Sequence, residues 1–98
     1  MIPYAFHPEA AAEFEEASAF YEVRMVGLGK SFAAEVERAV SHIREFPDAG
    51  SPGGISIRGA LIPRFPYSLV YRVVGDDVQI IAVSHHRRRP GYWRHRTE

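Results

Sequence analysis

The chain has 98 residues, 46% of them hydrophobic and 24% charged, with no cysteine and a formal net charge of zero at pH 7. That length predicts a single domain over 1–98 with one modest core, and the lack of cysteine excludes disulfides and thiolate metal sites. No apolar run approaches a membrane span and no basic-then-apolar leader opens the chain, so a cytoplasmic protein is expected.

"IPYAFH" (2–7) reads as a short strand. A helix follows over 8–25, with Pro8 at its first position and Glu9 in its first turn, where both are favoured. Ala10, Phe14, Ala17 and Tyr21 recur at helical spacing and form one apolar stripe, and the glutamates of this helix are expected on its solvated side. "VGLGK" (26–30) supplies the glycines of a tight turn. A second helix, roughly 28–46, places Leu28, Phe32, Val36, Ala39, Ile43 and Phe46 on one face, and "PDAGSPGG" (47–54) is expected to be a loop.

The period then shortens from near 3.6 to 2. Strands are predicted at 55–62, 65–74 and 78–85, with "GDD" (75–77) as the turn between the last two. The fold class is therefore α+β in two layers, β-α-α-β-β-β, an antiparallel three-stranded meander with a helical hairpin on one face. Strict alternation places Tyr67, Leu69, Tyr71 and Val73 together under the helices. It leaves Arg58, Ser68, Arg72, His85 and Arg87 as a polar stripe on an uncovered sheet face.

The neutral total hides an asymmetry. Residues 1–57 hold nine acidic groups against four basic ones, while residues 58–98 hold eight arginines against Asp76, Asp77 and Glu98. Eleven of the twelve basic residues are arginine, whose planar fork suits phosphate and carboxylate. The densest cluster is "SHHRRRPGYW" (84–93). Metal-free RNA cleavage would need a base for the 2′-hydroxyl, positive charge for the phosphorane and an acid for the leaving oxygen. His85 or His86 would be the base, Arg58, Arg72 and Arg87 would hold the phosphate, and Tyr92 or His95 would stack or donate. Alternatively, these arginines are simply solvated. Trp93, the only tryptophan, either stacks a nucleobase or pins a C-terminal turn onto the sheet. The pair His85–His86 points to opposite faces and lacks a third ligand nearby, so no metal or cofactor is expected.

The stretches "FPYSLVYRVVGDDVQIIAVSHHRRRPGYW", "IRGALIPR" and "GLGKSFAAEVERA" resemble the RelE/ParE superfamily of bacterial toxin–antitoxin toxins, closest to ParE-like plasmid stabilisation proteins, over about 3–94. The resemblance implies a small type II toxin neutralised by a cognate antitoxin. ParE-like members poison DNA gyrase without catalysis of their own, whereas RelE-like members cut mRNA on the ribosome. Against the mRNA-cutting branch, Ser68 stands where an arginine is common, Arg58 alone represents a basic pair, and Arg87 and Trp93, with Tyr92 beside it, match in part. The ParE-like reading comes first, with Arg72, Arg87, Arg88, Arg89 and Trp93 as target-binding residues. The alternative is a ribosome-dependent endonuclease using Arg58, His85, His86, Arg87 and Tyr92, and a further one is a toxin fold serving only as a binding module. On any of these readings the basic half calls for an acidic, amphipathic antitoxin segment.

Overall fold

The computed structural model describes residues 2–54 and 56–97. Met1, Glu98 and Ile55, with which the expected strand 55–62 begins, lie outside them. β1 (Tyr4–Phe6) leads into α1 (Pro8–Arg24) and α2 (Leu28–Glu45), followed by β2 (Ser51–Gly54), β3 (Ile57–Leu61), β4 (Tyr67–Val74) and β5 (Asp77–His85). The strands form one five-stranded sheet in the order β1-β5-β4-β3-β2. The expected meander is its antiparallel centre, β3-β4-β5. The sheet as a whole is mixed, because β1 runs parallel to β5 from Tyr4↔Val78 to Phe6↔Ile80. A parallel neighbour needs a crossover, which the helical hairpin supplies. Part of the expected loop 47–54 is itself a strand: β2 pairs with β3 at Ser51↔Gly59, and Pro52 is tolerated because this is the sheet edge. Among the described residues no helix is long and apolar enough to cross a membrane.

The helices start where local chemistry fixes them. His7 Nδ1 accepts the Glu9 amide at 3.1 Å and Pro8 opens the first turn. At the hairpin turn Gly27 takes φ 90°, and the Glu22 carboxylate accepts the amides of Gly27 (2.8 Å) and Gly29 (3.0 Å). Glu22 thus caps α2 from the preceding helix. Those amide bonds, Gly27 foremost, hold its carboxyl below the usual range. Gly29 is buried against α1, where an added Cβ would collide with the Ser18 carbonyl oxygen and the Glu22 side chain.

The core between the layers is centred on Phe32, which is fully buried. Its ring lies 5.4 Å from Tyr21, 5.1 Å from Phe65 and 5.1 Å from Tyr67, and Leu69, Tyr71, Val78, Ile80 and Val83 floor it from the sheet. Phe46, expected on this face, instead follows the last residue of α2 and is half exposed. Tyr71 ties the loop after α2 to the sheet: its hydroxyl donates to the Pro47 carbonyl at 2.8 Å and accepts the Gly50 amide at 3.2 Å.

One irregularity redistributes the faces. On β5, Val70 pairs with Ala82 but Tyr71 pairs with Ile80, so Ile81 is an extra residue, a β-bulge. Beyond it the alternation inverts. Val83 and His85 join Val78 and Ile80 on the helix side, while Ile81, Ala82 and Ser84 face away. Arg58 pairs with Tyr71 and so also lies on the helix side. The expected stripe of Arg58, Ser68, Arg72, His85 and Arg87 is therefore not one stripe.

Two substitutions at the hairpin separate crowding from backbone strain. Gly29→Ala should lower stability by about 2–3 kcal/mol, the upper part of the range for overpacking. Gly27→Ala, where nothing lies near an added Cβ, should cost about 1 kcal/mol from the left-handed backbone alone. Denaturant titration of both variants checks this, and equal losses would contradict the close approach at Gly29.

Candidate functional site

β5 ends at His85, and the chain turns through His86, Arg87, Arg88 and Arg89. The turn is fixed by its backbone. The His86 amide donates to the Pro66 carbonyl at 2.9 Å, the Arg88 amide to the His85 carbonyl at 3.0 Å, and the Arg87 amide to His85 Nδ1 at 3.0 Å. The side chains of Arg87, Arg88 and Arg89 point to solvent, and among the described residues none of the three has a carboxylate partner. Arg88 lies 3.8 Å over the ring of Tyr92. Three adjacent exposed guanidiniums make this turn a concentrated patch of positive charge.

The segment after it is a strap. Trp93 is 8% exposed and completes an apolar cluster with Ile57, Val70, Ile81 and Ala82 on the sheet face away from the helices. A final 3-10 turn, Arg94–Thr97, lies beyond. The far face is therefore covered, contrary to expectation, by the chain's own C-terminus. Arg72, expected at the target surface, is spent holding it: its Nε donates to Gln79 at 2.8 Å and Nη1 to the Thr97 carbonyl at 3.4 Å. Trp93 takes the pinning role of the two open to it, and its burial leaves no ring face for a base.

Glu13 is the hub of the strap. Its Oε1 accepts the Val83 amide at 3.0 Å and Arg96 Nη1 at 2.8 Å. Its Oε2 accepts the Tyr92 hydroxyl at 2.7 Å and Arg96 Nη2 at 3.0 Å. Arg96, only 5% exposed at its side chain, also reaches the Ile81 carbonyl at 3.1 Å and lies 3.3 Å from the Glu9 carboxylate. His95 Nε2 sits 3.0 Å from Glu9. Glu13 was expected on the solvated side of α1, and this is the clearest correction to that reading. The signal was present: Glu13 stands three residues after Ala10 and four before Ala17, both buried.

Of the residues expected to cleave RNA, Arg58 lies apart from the others. Arg58 is in register with Tyr71 and His85 with Tyr67, four residues further along β4, or about 13 Å. Arg58 is also turned to the Gly50 carbonyl, 2.8 Å from Nη1. His85 Nδ1 accepts the Arg87 amide at 3.0 Å, which ties the imidazole to the turn that follows it. His86 Nε2 is paired with Ser68 Oγ at 2.9 Å. Burial, with the Glu13 hydrogen bond added, pushes the Tyr92 hydroxyl up to about 12, so it is a poor acid.

Compared with known families, residues 4–90 match the pattern of the family described as "ParE toxin of type II toxin-antitoxin system, parDE". The chain belongs to the ParE toxin family. A solved chain of the "Chromosomal ParDE TA system from P. aeruginosa" superposes with a TM-score of 0.69, covering 87% of this chain and 96% of that one at 22% identity, which shows the shared fold. No curated protein matches. The family match ends at Arg89 and Pro90, so the ParE pattern covers the cationic turn, while Tyr92, Trp93 and Arg96 of the strap lie beyond it.

The raised Tyr92 hydroxyl has a signed consequence. Its folded value lies near 12 against an ordinary 10, so its contribution to stability is complete below about pH 10 and is lost as pH rises toward 12. Tyr92→Phe should cost about 1–3 kcal/mol at neutral pH, the range for a hydrogen bond to a charged group. It should also flatten the loss of stability between pH 10 and 12. Thermal melts across that range check both, and an unchanged alkaline slope would contradict the raised Tyr92 hydroxyl.

Proposed function

We propose that this ParE-family chain is a toxin that inhibits DNA gyrase by binding it, with the turn Arg87–Arg88–Arg89 as the contact surface. The observation that carries this reading is the set of three exposed guanidiniums with no carboxylate partner among the described residues, held on a backbone fixed at both ends. The separation of Arg58 from His85 supports a binding rather than a cleaving surface. The same turn suits neutralisation by a cognate antitoxin whose segment is acidic and amphipathic. Bidentate Arg–carboxylate pairs would fix its register and opposite charge would speed its encounter.

Expression without the antitoxin should arrest growth, and the purified protein should inhibit gyrase supercoiling at micromolar concentration. Replacing Arg87, Arg88 and Arg89 together with alanine should weaken inhibition by roughly tenfold or more. Primer extension on translated messages should show no codon-spaced cuts. No inhibition of the cognate gyrase by the unaltered protein sinks the proposal, and codon-spaced cuts abolished by His85→Ala would replace it with the endonuclease reading. Unchanged growth would leave only a binding module. Association with the antitoxin segment should slow at least tenfold between about 0.05 and 0.5 M salt.

A further inference from the structure

Resting on that reading, we infer that Glu13, in the middle of α1, is the positioning residue of the cationic turn, acting through Tyr92 and Arg96 without touching the target. Two links connect them. Glu13 Oε2 accepts the Tyr92 hydroxyl at 2.7 Å, and the ring so fixed lies 3.8 Å beneath the Arg88 guanidinium. The same carboxylate grips Arg96 with both oxygens, at 2.8 and 3.0 Å, which holds the last turn of the chain against β5. The arginine turn is thus suspended between β5 on one side and a strap on the other, and the strap is moored at one carboxylate.

Gly91 and Pro90 lie between the turn and the mooring, and Gly91 takes φ 76°. There an added Cβ would meet the Arg94 side chain, so the chain reverses tightly just before Tyr92. Slack cannot be absorbed in so short a link. Loss of the Glu13 bonds is therefore transmitted to Arg88, and the Trp93 ring, next to Tyr92, leaves the cluster of Ile57, Val70, Ile81 and Ala82. On charge alone, removing Glu13 would strengthen attraction for an acidic partner, whereas loss of positioning weakens specific binding. The two effects have opposite signs.

Trp93 is the single tryptophan and reports the docked strap directly. Glu13→Gln should raise the acrylamide quenching constant of Trp93 at least threefold and red-shift its emission. Trypsin should cut at Arg87 and Arg88 at least tenfold faster while the helical circular dichroism is retained. Gyrase inhibition by the variant should fall about tenfold despite the added positive charge. Should Glu13→Gln fail to fold, Tyr92→Phe, which keeps the Arg96 pair, carries the test with a quenching increase of about twofold. Quenching and cleavage unchanged from the parent protein in the folded variant overturn the inference. If the parent protein does not inhibit gyrase, the functional reading falls, and the quenching still decides the positioning.

Discussion

A carboxylate has four acceptor positions, and in this fold all four on Glu13 are filled: by one backbone amide, one phenol and two guanidinium nitrogens. A charge brought so far out of water is tolerated only when it is paired and fully hydrogen-bonded. The geometry that meets this demand is restrictive. It requires α1 to lie alongside β5, the upper edge of β5 to be free of a neighbouring strand, and the C-terminus to return across the far face. The helical layer, the sheet edge and the last residues of the chain are thus specified together, and the arginine turn is carried along with them.

The bulge at Ile81 sits where β5 changes neighbours. Up to Ile80 its open side is paired by β1 and by the His7 amide, which donates to the Ile80 carbonyl at 2.8 Å. Past that point the Ile81 carbonyl turns to Arg96 and the Val83 amide to Glu13. An unpaired strand edge is a site for unwanted association, and here side chains and the strap close it. The inversion of faces then sends His85 toward α1, edge-on to Tyr67 at 5.0 Å, and brings His86 to Ser68. The same insertion that closes the edge thus decides which face His85 takes, while ordinary alternation leaves His86 on the other.

Much of the fold is legible in the sequence because it rests on local periodicity. The helix stripes, the glycine turn at 26–30 and the alternation through β4 predict their elements to within a residue or two. The remainder depends on partners distant in the chain. β1 joins in parallel because a crossover returns it to β5, and residues 51–54 become a strand only because β3 offers them an edge. The side of the sheet on which His85 lies depends on one extra residue, which no period announces. Arg87, Arg88 and Arg89 stand out as a run of charge, and among the described residues none of the three has a carboxylate partner. Arg72 and Trp93 stood out by type alone, and the structure uses both internally. Glu13 reads as one glutamate among several on an acidic helix, although its spacing from Ala10 and Ala17 places it beside the buried face.

The central claim is that Glu13 and Arg96 hold the strap as a coupled pair rather than as two separate surface charges. A double-mutant cycle with Glu13→Ala, Arg96→Ala and the combined variant, read by denaturant unfolding, tests it most directly. The account predicts a coupling energy of about 2 kcal/mol, in the range for groups sharing one hydrogen-bonded network. Each single variant should cost about 1–3 kcal/mol, the range for losing hydrogen bonds to a charged group, because Arg96 keeps Glu9 and the Ile81 carbonyl and Glu13 keeps the Val83 amide and Tyr92. Additive single losses, with coupling within about 0.5 kcal/mol of zero, would contradict it.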